Sequence, residues 1–296
     1  MNPFIRYTAL LLCFAAVPGL ALEDKYLDAN GVKIRYIDTG RGEAIVLLHG
    51  GTSNLESWTS RGVVDNLAKD FRVIAFDARG HGKSDSPHDP AAYGRQQALD
   101  VVRILDALKI GRAHIIGFSL GSSTVAQLLT LHPERFLTGV QVAGAGRSPQ
   151  EANNPRIETE AAEIARDCIS RSRVMRQAPA GMKPSEEEIQ QRMAACRTDR
   201  NFDQLATAAS LRGYRDQAVT AEQMAAVKVP TLGIVGTLDH TLKDMQELKK
   251  LRPSMKLVLL EGVSHTGKTG IQGDPRLVSE IRSFIAEQSR AAAPAY

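Results

Sequence analysis

The chain has 296 residues, 43% hydrophobic and 24% charged, which is enough for one large core and argues against long disordered stretches. Lys and Arg number 37 against 33 Asp and Glu, a net charge of +4 with the two signs interspersed. No basic run of the kind that grips nucleic acid occurs, so the charge is read as a solvated surface.

The N-terminus, "MNPFIRYTALLLCFAAVPGLALEDKY", places Arg6 before an apolar run from Tyr7 to Val17 and breaks it at Pro18-Gly19. Gly19 and Ala21 are the small residues that a cut after Ala21 requires. This pattern predicts a secretory signal peptide over residues 1–21, with the mature protein periplasmic or secreted. The run is shorter than the roughly 20 residues of a membrane-spanning helix, so no stable span is expected after cleavage. Cys13 leaves with the signal, and Cys168 and Cys196 remain. An oxidising compartment permits a disulfide between them, and two buried free thiols are the alternative.

"KYLDANGVKIRYIDTG" is two alternating runs around Asn30-Gly31, which predicts an antiparallel hairpin. The segments 44–50, 72–77, 113–119, 137–144, 231–236 and 256–262 are dense apolar runs, mostly without alternation. Strands buried on both faces of a parallel sheet read this way. Helical patterns fall between them at 98–108, 120–132, 244–251 and 276–288. The alternation predicts an α/β fold, an open and mostly parallel sheet flanked by helices. Residues 146–225 interrupt the rhythm with Arg/Glu-rich, helix-like sequence. There Ser185 and Glu188 form a capping box, and Ile189, Met193 and Cys196 share one helical face. Ala161, Ala165 and Cys168 share another, and no internal repeat is present.

"GFSLGS" puts Ser119 where an apolar strand ends and a helix begins. A serine presented there needs a sharp turn with strained backbone angles, and Gly117 and Gly121 remove the side chains that would obstruct it. The reward is an exposed hydroxyl beside helix amides that favour developing negative charge. Such a serine needs a base, and the base needs an orienting acid. Among the seven histidines, His265 follows a strand in the turn "VSHTG", and Asp239 follows the strand "TLGIVG". Loops at the carboxyl ends of parallel strands share one sheet edge, where α/β sites form. Asp244 and Glu261 are rival acids. His49 reads as shaping the Gly50-Gly51 turn, and Asp77, Arg79, His81 and Asp85 as a hydrogen-bonded brace.

With these motifs in place, the chain resembles the alpha/beta-hydrolase fold superfamily. "LLHGG" resembles its oxyanion loop, "DARGHGKSD" the loop after the fourth strand, "GFSLGS" its nucleophile elbow, and "VPTLGIVGTLD" with "VSH" its acid and base segments. The resemblance spans about residues 30 to 288. It implies a hydrolase core at 22–145 and 226–296, with 146–225 as an inserted helical cap. It further implies Ser119 as nucleophile, His265 as general base, Asp239 as its partner, and the Gly51 and Leu120 amides as oxyanion donors, with Thr52 as a substitute for Gly51. Ser122 stands where many members have glycine, and the stretch "HTGKTG" after His265 has no counterpart in this reading.

Relatives of this fold that use an alkyl-enzyme route carry Asp where this chain has Ser119, which leaves acyl transfer. The expectation is an esterase or lactonase acting on a small-molecule acyl substrate, with a C–C bond hydrolase or cofactor-free perhydrolase as runner-up. A ligand receptor on the same fold is the non-enzyme alternative. No H-x-x-x-H, H-E-x-x-H or C-x-x-C pattern and no dinucleotide fingerprint is present, so neither metal nor cofactor is expected. Met175, Met182, Met193 and Met224 offer apolar cap contacts, and Lys268 is a candidate for attracting an anionic substrate. Oligomeric state is not readable.

Overall fold

The computed structural model describes residues 22–178, 181, 183–199 and 202–292, so the signal-peptide expectation lies outside the described residues. Eight strands form one sheet: β1 (Lys25–Asp28), β2 (Lys33–Gly40), β3 (Ala44–Leu48), β4 (Arg72–Phe76), β5 (Ala113–Phe118), β6 (Phe136–Val142), β7 (Thr231–Gly236) and β8 (Lys256–Leu260). Their spatial order is β1-β2-β4-β3-β5-β6-β7-β8. The hairpin β1–β2 is antiparallel, and β2 pairs antiparallel with β4. From β4 to β8 every pairing is parallel.

Parallel strands need crossovers, and helices supply them. One face of the sheet carries α1 (Glu56–Thr59), α2 (Val63–Leu67) and the C-terminal α12 (Pro275–Ala292). Trp58, Val64, Leu67, Ile281 and Phe284 pack there against Ile45, Leu47, Ile116 and Val140. The opposite face carries α3 (Arg95–Ala107) and α4 (Leu120–Leu131), whose Val101, Ile104, Val125 and Leu128 meet Val46, Leu48, Ile74 and Ile115. Neighbouring residues of β3 thus serve two different cores, which is why its sequence reads as an unbroken apolar run. α11 (Leu242–Leu251) lies between β7 and β8 and buries Met245 and Leu248.

Between β6 and β7 the described chain is helical: α5 (Pro149–Ala152), α6 (Arg156–Asp167), α7 (Arg171–Gln177), α8 (Glu186–Thr198), α9 (Gln204–Arg212) and α10 (Ala221–Ala226). Ser148, Ser185 and Thr220 each close a capping box with the residue three positions on. α6 and α9 pack through Ala161, Ile164, Ala208 and Leu211 onto Leu120, the first residue of α4. The apolar seam of this segment therefore sits directly on the turn that carries Ser119. Cys168 and Cys196 are joined in a disulfide, with Cα atoms 6.1 Å apart, tying the end of α6 to α8.

Candidate active site

β3 lies between β4 and β5 in the sheet, so the chain leaves its carboxyl end toward one neighbour and later returns on the other side. That reversal opens a crevice at the strand ends, the place where open α/β sheets bind ligands. The loop after β3 (His49, Gly50, Gly51) and the turn after β5 (Ser119) border this crevice.

Ser119 has φ 53° and ψ −109°, a conformation costly for any residue with a Cβ. The turn survives because its neighbours are minimal. A Cβ on Gly117 would stand 2.2 Å from the Gly121 carbonyl oxygen, and one on Gly121 would stand 2.4 Å from that of Leu48. Ser122 is fully buried and donates its hydroxyl to the Gly144 carbonyl, so serine fits where other members carry glycine.

The structure brings Ser119, His265 and Asp239 into one hydrogen-bond chain. His265 Nε2 is 3.0 Å from Ser119 Oγ, and His265 Nδ1 is 2.9 Å from Asp239 Oδ2. An ionised carboxylate only accepts, so Nδ1 carries the proton and Nε2 is left to accept from the serine hydroxyl. Asp239 is buried at 5% exposure. Burial by itself pushes its carboxyl up, but His265 and the Thr241 N–H and hydroxyl, both 2.8 Å from Oδ1, hold it below the ordinary aspartate value. Neither rival acid joins this chain.

The acid and base loops are tied to each other. Leu238 N–H donates to the Val263 carbonyl, and Gly262 N–H to the Thr237 hydroxyl. Phe118 and His240 flank the His265 ring, with centroids 5.0 Å and 4.4 Å away. The "HTGKTG" stretch acquires a role here. It folds back so that Ser264, next to His265, donates N–H to the Thr269 carbonyl and accepts from Ile271 N–H. The Ser264 hydroxyl also reaches the Thr266 carbonyl at 2.9 Å. Lys268 is exposed on that loop and does not line the cavity, so it makes no contact within it.

Gly51 abuts Leu120, and the N–H groups of both make no hydrogen bond to any described residue. The loop that carries Gly51 is held by His49. His49 Nε2 accepts from Ala78 N–H at 3.0 Å, so Nδ1 is the protonated nitrogen and donates to the Gly50 carbonyl at 2.7 Å. Burial pushes His49 down to about 4, which keeps it neutral in this bridging role. The surrounding loop is braced as expected: Arg79 makes two bonds of 2.6 Å to Asp100, and Asp85 accepts Lys33 N–H. Asp77 takes Leu55 N–H and Lys83 N–H. The hydroxyl of Thr52, whose N–H is the substitute donor, bonds to the Gly51 carbonyl.

A cavity of about 630 Å³ opens above Ser119 and His265, with the helical segment as its far wall. Met224 is buried among Val219, Val235 and Met245, and neither Met175 nor Met193 lines the cavity, so these side chains pack elsewhere. Met182 lies outside the described residues. The wall's cations are Arg147, Arg156, Arg173 and Arg176. No motif singled these out, although Arg147 follows the carboxyl end of β6, a position of the kind that already marked Asp239 and His265. The fold also gathers the ligand atoms of Asp239, His240 and His265 within 4.8 Å of one another. Both His265 nitrogens are already engaged with Asp239 and Ser119, so this group is accounted for by the hydrogen-bond chain.

The family model of the alpha/beta hydrolase fold matches residues 43–267. The chain belongs to the alpha/beta hydrolase family. It is 26% identical over 275 residues to a putative 2-succinyl-6-hydroxy-2,4-cyclohexadiene-1-carboxylate synthase of Bacillus subtilis, covering 86% of this chain and 95% of that one. It is 38% identical over 122 residues to a 2-hydroxymuconate semialdehyde hydrolase of Pseudomonas, covering 40% of this chain and 43% of the relative. Among solved structures, a carboxylesterase of the ammonia-oxidizing thaumarchaeon Nitrososphaera superposes with a TM-score of 0.72 at 20% identity, over 91% of this chain and all of the other. The protein is thus a hydrolase-family enzyme for small-molecule substrates, and none of its described helices is long and apolar enough to cross a membrane.

Proposed function

We propose that this hydrolase cleaves carboxylic esters or lactones through an acyl-serine intermediate. The observation that carries the reading is the unbroken chain from Asp239 through His265 to Ser119 Oγ at the head of α4. In this reading His265 Nε2 takes the serine proton as Oγ attacks the carbonyl carbon. Asp239 stabilises the imidazolium that results. The unbonded N–H groups of Gly51 and Leu120 receive the oxyanion, each worth roughly a hundredfold or more in rate. His265 then protonates the leaving alcohol, takes a proton from the water that attacks the acyl carbon, and returns it to Ser119 Oγ as the acid departs. Residues 146–225 act as the cap that encloses the acyl group.

Fluorophosphonate labelling tests the nucleophile. Wild type takes up one label, Ser119→Ala takes up none, and an unlabelled wild type defeats the reading. A chain-length panel of chromogenic esters then sizes the acyl site. Multiple turnover of any of them excludes a ligand receptor.

A second reading, hydrolysis of a C–C bond with the same three residues, draws on the similarity to the semialdehyde hydrolase. Faster turnover of a vinylogous 1,5-diketone than of any ester would favour it. We also propose that residues 1–21 direct export. Mass spectrometry of protein from the native cell envelope is expected to find Leu22 as the first residue, and an intact Met1 terminus contradicts this.

A further inference from the structure

The cavity treats its cations unequally. Arg176 is paired to Glu160 at 2.7 Å, and Arg156 Nε donates to Asn154 Oδ1. Arg147 has no such partner. Its guanidinium stacks 3.9 Å above the Tyr214 ring and makes no hydrogen bond or ion pair with any described residue. Its Nε is shielded from solvent and unsatisfied. With Nε shielded, the two Nη groups are the donors that Arg147 can present to a ligand in the cavity it lines. Burial lowers the Arg147 pKa from the ordinary arginine value, with Tyr214, Glu151 and Glu160 opposing and Arg173 adding to the decrease.

Arg173 is a second guanidinium without a described acceptor, and it too lines the cavity. Its charge opposes protonation of both Arg147 and His240, and Arg176 acts on His240 in the same sense. Of the cavity's carboxylates, Glu160 is bonded to Arg176 and Glu151 to the Ser148 N–H and hydroxyl, while that of Asp244 has no described partner. They still temper the field, so the site favours a singly charged anion over a phosphate dianion. Tyr214 fixes the position relative to the chemistry. Its ring lies under Arg147, while its hydroxyl reaches to 3.9 Å from where a Gly51 Cβ would stand. The cation and the oxyanion site are separated by about one phenol ring.

We propose that Arg147, assisted by Arg173, forms a carboxylate-binding subsite, so that the natural substrate is an acid: a half-ester or lactone whose free carboxylate lies a few bonds from the scissile carbonyl. The planar guanidinium offers paired donors to such a group, and aromatic stacking pre-orients it. The reaction class this assigns to the substrate rests on the proposed acyl transfer, whereas the subsite itself does not.

The test compares two esters of one length, mono-4-nitrophenyl glutarate and its neutral methyl ester, in wild type, Arg147→Gln, Arg147→Lys and Arg173→Gln. Wild type is expected to favour the anionic ester in kcat/KM by about tenfold or more. Arg147→Gln is expected to cut that preference about ten- to a hundredfold, the range for losing a charge-assisted hydrogen bond. Arg147→Lys keeps part of the preference and Arg173→Gln loses less of it. If Arg147→Gln does not fold, Arg147→Lys and Arg173→Gln carry the comparison. An equal effect on both esters overturns the proposal. Calorimetric binding of glutarate to Ser119→Ala, with and without Arg147→Gln, reads the subsite without turnover. Arg147-dependent binding in a protein that cleaves no ester would reject the reaction and uphold the subsite. Glutarate binding that ignores Arg147, or inorganic phosphate binding as tightly as glutarate, would overturn the subsite.

Discussion

At the sheet edge the Asp239 carboxylate is bonded by His265 and twice by Thr241, and His265 uses both ring nitrogens. On the cavity wall, Arg147 is half-buried with its Nε shielded, and its guanidinium is bonded by nothing described. The two regions are separate solutions to placing charge in a partly dry site. The edge residues sit on turns whose backbone is fixed by parallel strand register, and each satisfies the next. Two of the wall arginines, Arg147 on a turn and Arg173 on α7, have no described acceptor for their guanidinium groups. A saturated network suits groups that must hold one tautomer through a reaction, and an unsaturated one suits groups that choose what enters.

The sharpest way to break this comparison is at the edge. Ser119→Ala is expected to lower kcat for ester hydrolysis by about 10⁴-fold or more with an unchanged circular dichroism spectrum. Asp239→Asn keeps the shape but lets His265 hold the wrong tautomer, so kcat is expected to fall about 10³- to 10⁴-fold. A loss of less than tenfold in the latter would mean that Asp239 does not orient His265. Gly121→Ala addresses the turn itself: with its new Cβ 2.4 Å from a backbone oxygen, it is expected to lose about 2–4 kcal/mol in denaturant unfolding.

The wall responds to different perturbations. Cys168 and Cys196 are 28 residues apart, so removing their bond with Cys168→Ala and Cys196→Ala is expected to cost at most about 3.6 kcal/mol. Limited proteolysis should then cut within α6–α8 before the sheet. Cleavage in the sheet first would contradict the local role of the bond. A further effect is on the acid side. Burial lowers His49 and His81 from 6.5 to about 4. The unfolded imidazoles bind protons first, so stability is full above pH 6.5 and declines as pH falls toward 4. Melting temperatures measured between these limits check this, and His81→Gln should flatten the decline. A profile that His81→Gln leaves unchanged contradicts it.

The same contrast explains what the sequence revealed. Apolar runs, the two glycines around Ser119 and the order of Ser119, Asp239 and His265 are local or ordered along the chain, and strand-end loops must converge on one edge. Nothing comparable says which side of α7 faces the crevice, or that Tyr214 slides beneath Arg147, because those facts depend on how α6 and α9 dock on Leu120. Lys268 illustrates a related point: closeness to His265 along the chain does not make it a cavity-lining residue once the loop folds back on Ser264. His240, next to Asp239 in sequence, gave no sign that its ring would lie against that of His265.

The central claim is that Ser119 becomes acylated during turnover. Rapid acid quench of wild type with 4-nitrophenyl butyrate, followed by peptide mass spectrometry, measures this directly. The account predicts one butyryl group on the peptide containing Ser119, formed as fast as the first equivalent of nitrophenol. Sustained turnover with the acyl group on another residue, or with burst-phase nitrophenol release and no acyl-enzyme, would contradict it.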